Sequence, residues 1–425
     1  MNFETPIGVS FPDVSVDQTR TLRGHIMAIQ RGLRNEVTKR ISDYTKIESP
    51  QLALGMDSLH AGPCVYWVGK NPCKDDIGGQ CSACGYNRVV FPEEGVDEES
   101  FLRQQFQAYQ VEMDAWIKDG ADKKFVLVTG FIGSFFSDYE VSPALRKELL
   151  EWLRDDFKER KVEPQVYIEA RAEDVIAVGK GGELDELLPL LKNLNARVIL
   201  GLESRNDFIR TVVFAKQLKI ESFEKAARLL QERQIGVNAF VFMGNHSMGE
   251  QETFDDVVGT LKYLKALGAA PVLMTPSLTP GSFNDLLAWA ENYHFTEPRT
   301  LLRILRETIK LFPKTDDLDH YPFMLSLGGG PPEPLAWMFK ATGLATCDDC
   351  SEKIKEAARQ LVIDFDYDQF NQAMLFVDDC QCQQAYEQKL GEEKNLPGLI
   401  QRVTANINLA QAHATEYLQH LKEEK

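Results

Sequence analysis

The 425-residue chain contains no run of eighteen apolar residues, so no membrane-spanning helix is expected. It is also short of positive charge: 47 Lys and Arg against 64 Asp and Glu give a net charge of −17. A protein that grips nucleic-acid phosphates unaided carries a basic surface. This balance argues against nucleic-acid binding as the main task, and the cluster Arg31, Arg34, Lys39 and Arg40 reads as a solvated helix face. The opening residues, MNFETPIGVSFPD, lack both a basic n-region and an apolar h-region. No secretory signal is therefore expected, and the chain is placed in the cytoplasm. No G-x-G-x-x-G follows an early strand, which weakens a dinucleotide-binding fold. Internal repeats and low-complexity tracts are also lacking.

What is present is a globular composition, 44% hydrophobic and 26% charged, in a length suited to one large domain with an accessory region. Continuous apolar runs alternate with amphipathic stretches. CVYWVGK (64–70), KKFVLVTGF (123–131), PQVYIEA (164–170), ARVILGLES (196–204), GVNAFVFMG (236–244) and APVLMTPS (270–277) read as strands. Helices are expected over 17–46, 97–118, 142–160, around 182–194, and over 221–234, 250–267 and 298–311. Buried strands separated by helices form parallel sheets, and six or more in series predict an α/β fold with a partial or full TIM-like (β/α) barrel. The alternation stops near residue 296, so the expected organisation is an N-terminal helical segment (1–50), the barrel (51–296) and a smaller Cys-rich C-terminal region (297–425).

Eight cysteines are present, and seven fall into two groups, which points to metal ligation rather than disulfides in a reducing compartment. Cys64 stands apart, as a strand residue. The first group, Cys73, Cys81 and Cys84, lies in the Gly-rich loop NPCKDDIGGQCSACGY (71–86) after the first expected strand. Three thiolates at x7 and x2 spacing leave one metal position open, as reactive metal centres require. The spacing also admits structural zinc completed by Cys64 or a histidine, or unliganded thiols. In the second group, Cys347–Cys350 and Cys380–Cys382 make two short chelating units. Four thiolates suit structural zinc or an auxiliary iron–sulfur cluster.

The segment GGQCSACGY, with a cysteine eight positions before Cys81, resembles the cluster loop of radical S-adenosylmethionine (SAM) enzymes. The group it resembles is that of the elongator catalytic subunit, which includes the subunit forming archaeosine in archaeal tRNA. TGFIGSFFSD (129–138), IEARAEDV (168–175), GLESRNDFIR (201–210) and the C-terminal cysteine pairs resemble further segments of that group, over about residues 60–390. The chain departs from it at FKATGLATC (339–347), where the family carries Arg-Gly-Pro-His-Asn.

The resemblance implies a [4Fe–4S] cluster on Cys73, Cys81 and Cys84, with SAM chelated to its open iron. Reductive cleavage of SAM would then start hydrogen abstraction from a substrate. It implies that Gly130, Gly133 and Ser134 form a turn against SAM, that Glu169 and Arg171 serve the same site, with Arg171 reaching the SAM carboxylate, and that Glu203 binds its ribose or ammonium. Tyr86 would lie near the adenine. An ion pair, a simple turn or packing are the ordinary alternatives for these residues. A ferredoxin or flavodoxin reductant is implied, and possible substrates are a 7-deazaguanine base on tRNA, reached through a partner subunit, or another small molecule. A non-catalytic protein stapled by zinc remains the competing class. Asp207 reads as a helix cap, Asn245, Thr275 and Ser277 as residues at the barrel mouth, and His246 as a solvated loop histidine.

Overall fold

A computed structural model describes residues 15–41, 53–55, 64–67, 71, 97–118, 124–131, 133–275, 281–293, 295–313, 323–326, 344–364 and 366–423. Among them lie eight strands: β1 (Ala53–Gly55), β2 (Cys64–Trp67), β3 (Lys124–Phe131), β4 (Glu163–Ala170), β5 (Arg197–Glu203), β6 (Gly236–Phe242), β7 (Ala270–Met274) and β8 (Met324–Ser326). They form one sheet in the order of the chain. β1 is antiparallel to β2, and every later pair is parallel.

Parallel neighbours need a crossover, and consecutive strand order makes each crossover step in the same direction. With uniform handedness the helices then cover one face, and the sheet curls into a half-barrel around the other. The crossover helices are α2 (Glu98–Lys118), α3 (Pro143–Arg160), α4 (Ala172–Gly181), α5 (Glu183–Asn193), α6 (Ile220–Gln231) and α7 (Glu250–Leu267). After β7 come α8 (Phe283–Trp289) and α9 (Pro298–Leu311). Beyond β8 lie α10 (Asp348–Asp364), α11 (Tyr367–Asp378), α12 (Cys382–Glu393) and α13 (Leu399–Glu423).

The two faces of the sheet differ as the period-two pleat requires. Val166 and Ile168, Val198 and Leu200, and Val237, Ala239 and Val241 join one apolar cluster with Leu149, Leu153, Leu187, Leu191, Phe223 and Leu261 of the covering helices. The alternate positions are more polar. Gln165, Tyr167 and Glu169 of β4, Arg197 of β5 and Asn238 of β6 lie on the concave side, where Arg197 Nε donates to Asn238 Oδ1 at 2.7 Å. The main cluster continues without a break into the C-terminal helices through Leu301 and Leu305 to Ile354, Ala358, Phe370 and Met374. A second cluster joins α1 (Val16–Ile41) to α13, with Leu22, Ile26 and Leu33 against Leu399, Val403, Ile407 and Tyr417 beside α8.

Several boundaries differ from the sequence expectation. The helix expected around 182–194 is α5, and a further helix that the sequence did not announce, α4, precedes it, the two parted by Gly182 at φ 84°, a left-handed value that ends the first. The first helix extends to Ile41 among the described residues.

Candidate functional site: strand ends and a four-cysteine centre

The loop bearing Cys73, Cys81, Cys84 and Tyr86 lies outside the described residues, as does Ser277. Its point of departure is fixed. β2 runs parallel to β3, so the chain leaves Trp67 at the sheet edge where β3 to β7 also end. Asn71, two residues before Cys73, donates from Nδ2 to the Tyr139 carbonyl at 2.6 Å. That contact anchors the entrance of the cysteine loop to the turn after β3.

This turn is the most tightly built part of the edge. Gly133 stands at φ 131°, a conformation that a residue with a Cβ rarely adopts. Gly130 lies within β3. Ser134 is fully buried; its Oγ accepts from the Arg171 amide at 3.1 Å and its amide donates to Glu140 Oε2 at 2.5 Å. Phe135 N donates to the Glu169 carbonyl at 3.1 Å, tying the turn to the end of β4. Glu140 is completely buried, and Arg171 bridges it at 2.5 Å to Asp174 at 2.7 Å. Arg171 sits at the N-cap of α4, and its guanidinium engages carboxylates of its own chain. Glu140 is a member that sequence reasoning missed; it follows Asp138 and Tyr139 in a polar run that reads as exposed, so no local signal set it apart.

At the next strand end the register shifts between Gly201 and Glu203, and Glu203 adopts φ 63°. A non-glycine residue held there carries backbone strain of the kind that collects at functional sites. Its carboxylate is nearly buried and pairs with Lys216 at 2.7 Å. Beyond it, Asn206 rather than Asp207 provides the cap, accepting from Ile209 N at 3.1 Å. Asp207 instead pairs with Arg210. Arg210 is buried and donates to the carbonyls of Leu218, Ser204 and Arg205 at 2.9, 2.9 and 3.0 Å. The π-helix Ile209–Val213 follows. Ser204 Oγ donates to Asp256 at 2.7 Å, and burial raises that carboxyl to about 7 against the pull of Ser204 and Arg210.

His246, expected in solvent, is 1% exposed. Asn406 of α13 donates to its carbonyl at 2.7 Å, Ser247 Oγ lies 2.7 Å from Nδ1, and the Val213 carbonyl lies 3.3 Å from Nε2. The cause of the correction is α13, which folds back over the loop. Burial lowers His246 to about 4, more than the hydrogen bonds to Val213 and its own backbone raise it. Asn245 is likewise turned inward, its Oδ1 accepting from Ser247 N and Met248 N at 2.8 and 3.1 Å. Asn245 and His246 are both buried, at 3% and 1% exposure, and Thr275, just after β7, is 9% exposed.

The second cysteine group assembles. The ligand sulfurs of Cys347, Cys350, Cys380 and Cys382 all lie within 4.8 Å of one another, Cys347 Sγ and Cys380 Sγ at 3.8 Å. Cys347 and Cys350 flank the start of α10, and Cys380 and Cys382 the junction of α11 with α12. Burial raises the Cys350 thiol, while at Cys382 it is outweighed by contacts with the Cys347 backbone and Arg299, leaving that thiol at about 7. Four soft donors so placed fit a thiophilic metal.

No family model matches the chain. An uncharacterized protein of Methanocaldococcus jannaschii is 26% identical over 239 residues, 56% of this chain and 61% of that protein. Among solved structures, the chain superposes on Elp3 of Methanocaldococcus infernus with TM-score 0.39 and 13% identity, covering 52% of this chain and 51% of that one. Coproporphyrinogen III oxidase of Escherichia coli, a radical SAM enzyme, gives TM-score 0.36 and 17% identity over 67% and 60% of the two chains. The radical SAM methyltransferase TsrM of Kitasatospora setae gives 0.33 and 14% over 71% and 61%. The chain thus spans about half to three fifths of the proteins it matches. Among the described residues no helix is long and apolar enough to cross a membrane.

Proposed function

We propose that the chain is a radical SAM enzyme whose [4Fe–4S] cluster is held by Cys73, Cys81 and Cys84. The observation that carries the reading is the x7, x2 cysteine loop leaving the C-terminal edge of a consecutive parallel sheet. When bound, the cluster and SAM would supply reductive carbon–sulfur cleavage and hydrogen-atom abstraction from a substrate. This chain's residues would orient the cofactor and exclude water.

The strand-end residues fit that task as a scaffold. Gly133 brings backbone close to a ligand without a side chain in the way. Glu203 presents a carboxylate at the mouth, tempered by Lys216. Arg171, engaged by Glu140 and Asp174, fits a role in holding the turn after β3 against the end of β4. The same guanidinium would reach the SAM carboxylate through donors other than the Nε and Nη2 contacts that hold Asp174 and Glu140. A ferredoxin- or flavodoxin-type reductant would supply the electron. The substrate reading, a nucleobase of the 7-deazaguanine type on tRNA or another small molecule, follows from the resemblance of the sequence segments.

The test is anaerobic reconstitution with iron and sulfide, followed by dithionite and SAM. Release of 5′-deoxyadenosine, abolished by Cys81→Ala, is the expected result. A protein that takes up no iron at this loop and releases none of that product refutes the reading and favours a zinc-stapled interaction protein.

A further inference from the structure

We propose that Cys347, Cys350, Cys380 and Cys382 hold a single metal ion of zinc type rather than an auxiliary iron–sulfur cluster, and that Glu297 and Arg299 are its positioning residues. The inference stands apart from the reading of the strand-end site, since it uses neither the Cys73 loop nor SAM.

The spacing of the sulfurs decides the nuclearity. In a tetrahedral zinc site the Zn–S bonds are about 2.3 Å, and the edge of such a tetrahedron is therefore about 3.8 Å. Cys347 Sγ and Cys380 Sγ stand 3.8 Å apart, and all four ligand atoms lie within 4.8 Å of one another. A cubane cluster puts each thiolate on a different iron and spreads the sulfurs farther apart than one ion does. The described geometry leaves room for one ion at the centre. Binding would release the thiol protons to solvent and leave a four-thiolate centre with a formal charge of −2 around a divalent ion.

Two residues at the start of α9 fix the two halves of that centre. The Glu297 carboxylate is fully buried. It accepts from Ala345 N at 2.7 Å, Thr346 N at 3.1 Å and Thr346 Oγ1 at 2.8 Å, so it holds the chain immediately before Cys347. It also accepts from Lys389 Nζ at 2.7 Å, on the helix that Cys382 begins. Arg299 holds the other half. Its Nη2 donates to Cys382 Sγ at 3.0 Å and to the Val377 carbonyl at 2.7 Å, and Nη1 donates to Gln383 Oε1 at 2.5 Å. The same Nη2 lies 4.0 Å from Cys350 Sγ.

Arg299 is 2% exposed. A buried guanidinium needs an anionic partner, and among the described residues no carboxylate pairs with Arg299. A thiolate centre supplies that charge, and N–H···S donation spreads its excess negative charge in return. Pro298 between the two residues sets φ at the first helical position, which fixes their relative placement.

The full-length chain with Cys73→Ala, Cys81→Ala and Cys84→Ala isolates the second centre. Purified anaerobically and offered zinc, or ferrous iron with sulfide, it should bind about one zinc ion per chain and no acid-labile sulfide. An iron cluster with stoichiometric sulfide, or no bound metal, overturns the proposal. Failure here leaves the 5′-deoxyadenosine test untouched, and the reverse holds too.

In the same background Arg299→Met should weaken zinc binding roughly 10- to 100-fold, as loss of an outer-shell partner does. It should also shift the sulfur-to-cobalt charge-transfer band of the cobalt-substituted protein, which a merely structural role would not move. Arg299→Lys, which keeps a charge and a donor, should recover part of the affinity. Unchanged affinity and an unchanged cobalt spectrum in Arg299→Met refute the role of Arg299. Should that variant fail to fold, Arg299→Lys is read alone, and a parent-like affinity and spectrum count against the assignment.

Discussion

Replacing Glu140 by alanine removes the acceptor that joins the turn after β3 to the N-terminus of α4. In the folded protein one carboxylate oxygen accepts from Ser134 N and the other from Arg171 Nη2, both at 2.5 Å, with Glu140 and Ser134 wholly buried. Breaking a buried ion pair from one side costs about 3–5 kcal/mol. Asp174 still faces Arg171 Nε at 2.7 Å, so this pair should fall at the lower end of that range. The bare Ser134 amide adds about 1–3 kcal/mol. The two together place Glu140→Ala roughly 4–6 kcal/mol below the parent, a large share of a typical domain's stability. Glu140→Gln keeps an acceptor for one of the two donors and should lose about half as much. Urea unfolding followed by circular dichroism, at fixed metal content, reads the effect as a shifted midpoint at constant slope. A double-mutant cycle with Arg171→Met isolates the pair. A Glu140→Ala midpoint within about 0.5 kcal/mol of the parent, or zero coupling to Arg171, would refute the clamp.

Two buried groups give stability opposite pH slopes. His246 protonates at about 4 in the fold and at 6.5 when exposed, so the unfolded chain takes the proton first and stability falls as pH drops from 6.5 towards 4. Asp256 keeps its proton to about 7 in the fold and releases it at 3.8 when exposed, so its contribution falls as pH rises through that interval; Asp256→Asn should flatten this limb in unfolding measured between pH 4 and 8. Stripping metal from the four-cysteine centre, or substituting Cys350→Ser, should loosen α10 to α12, and limited proteolysis should then cut near residues 344–382 at a rate several-fold above that of the metal-loaded parent.

The parts of the fold legible in the sequence are those with strong local punctuation. α7 and α9 match the expected 250–267 and 298–311 to the residue, because Gly268 ends one and Pro298 opens the other. The buried strands were legible as continuous apolar runs, and the second cysteine group because chelating pairs announce themselves by spacing. α4 fell in a stretch, 172–181, to which no element was assigned, since ten residues give an apolar period too short to stand out. What no local pattern encodes is partnership across the fold. Glu140 with Ser134 and Arg171, Arg197 with Asn238, and Arg299 with Cys382 are 6 to 83 residues apart in pairs that the curled sheet, its turns and its returning helices create. His246 was misread for the same reason, since its cover comes from Asn406, 160 residues on.

The cluster shared by α1 and α13 sets an order of events in synthesis. Leu22, Ile26 and Leu33 emerge from the ribosome before any of their partners; Ile209, Val212 and Phe283 follow from mid-chain, and Leu399, Val403 and Ile407 come only after the whole sheet has been translated. At about 5–20 residues per second, α1 spends tens of seconds with its sticky face only partly covered. That interval makes the first helix a natural handle for a chaperone. It also makes α13 the latch whose arrival releases it, so a chain stalled before residue 399 would display a greasy helix that the finished protein conceals.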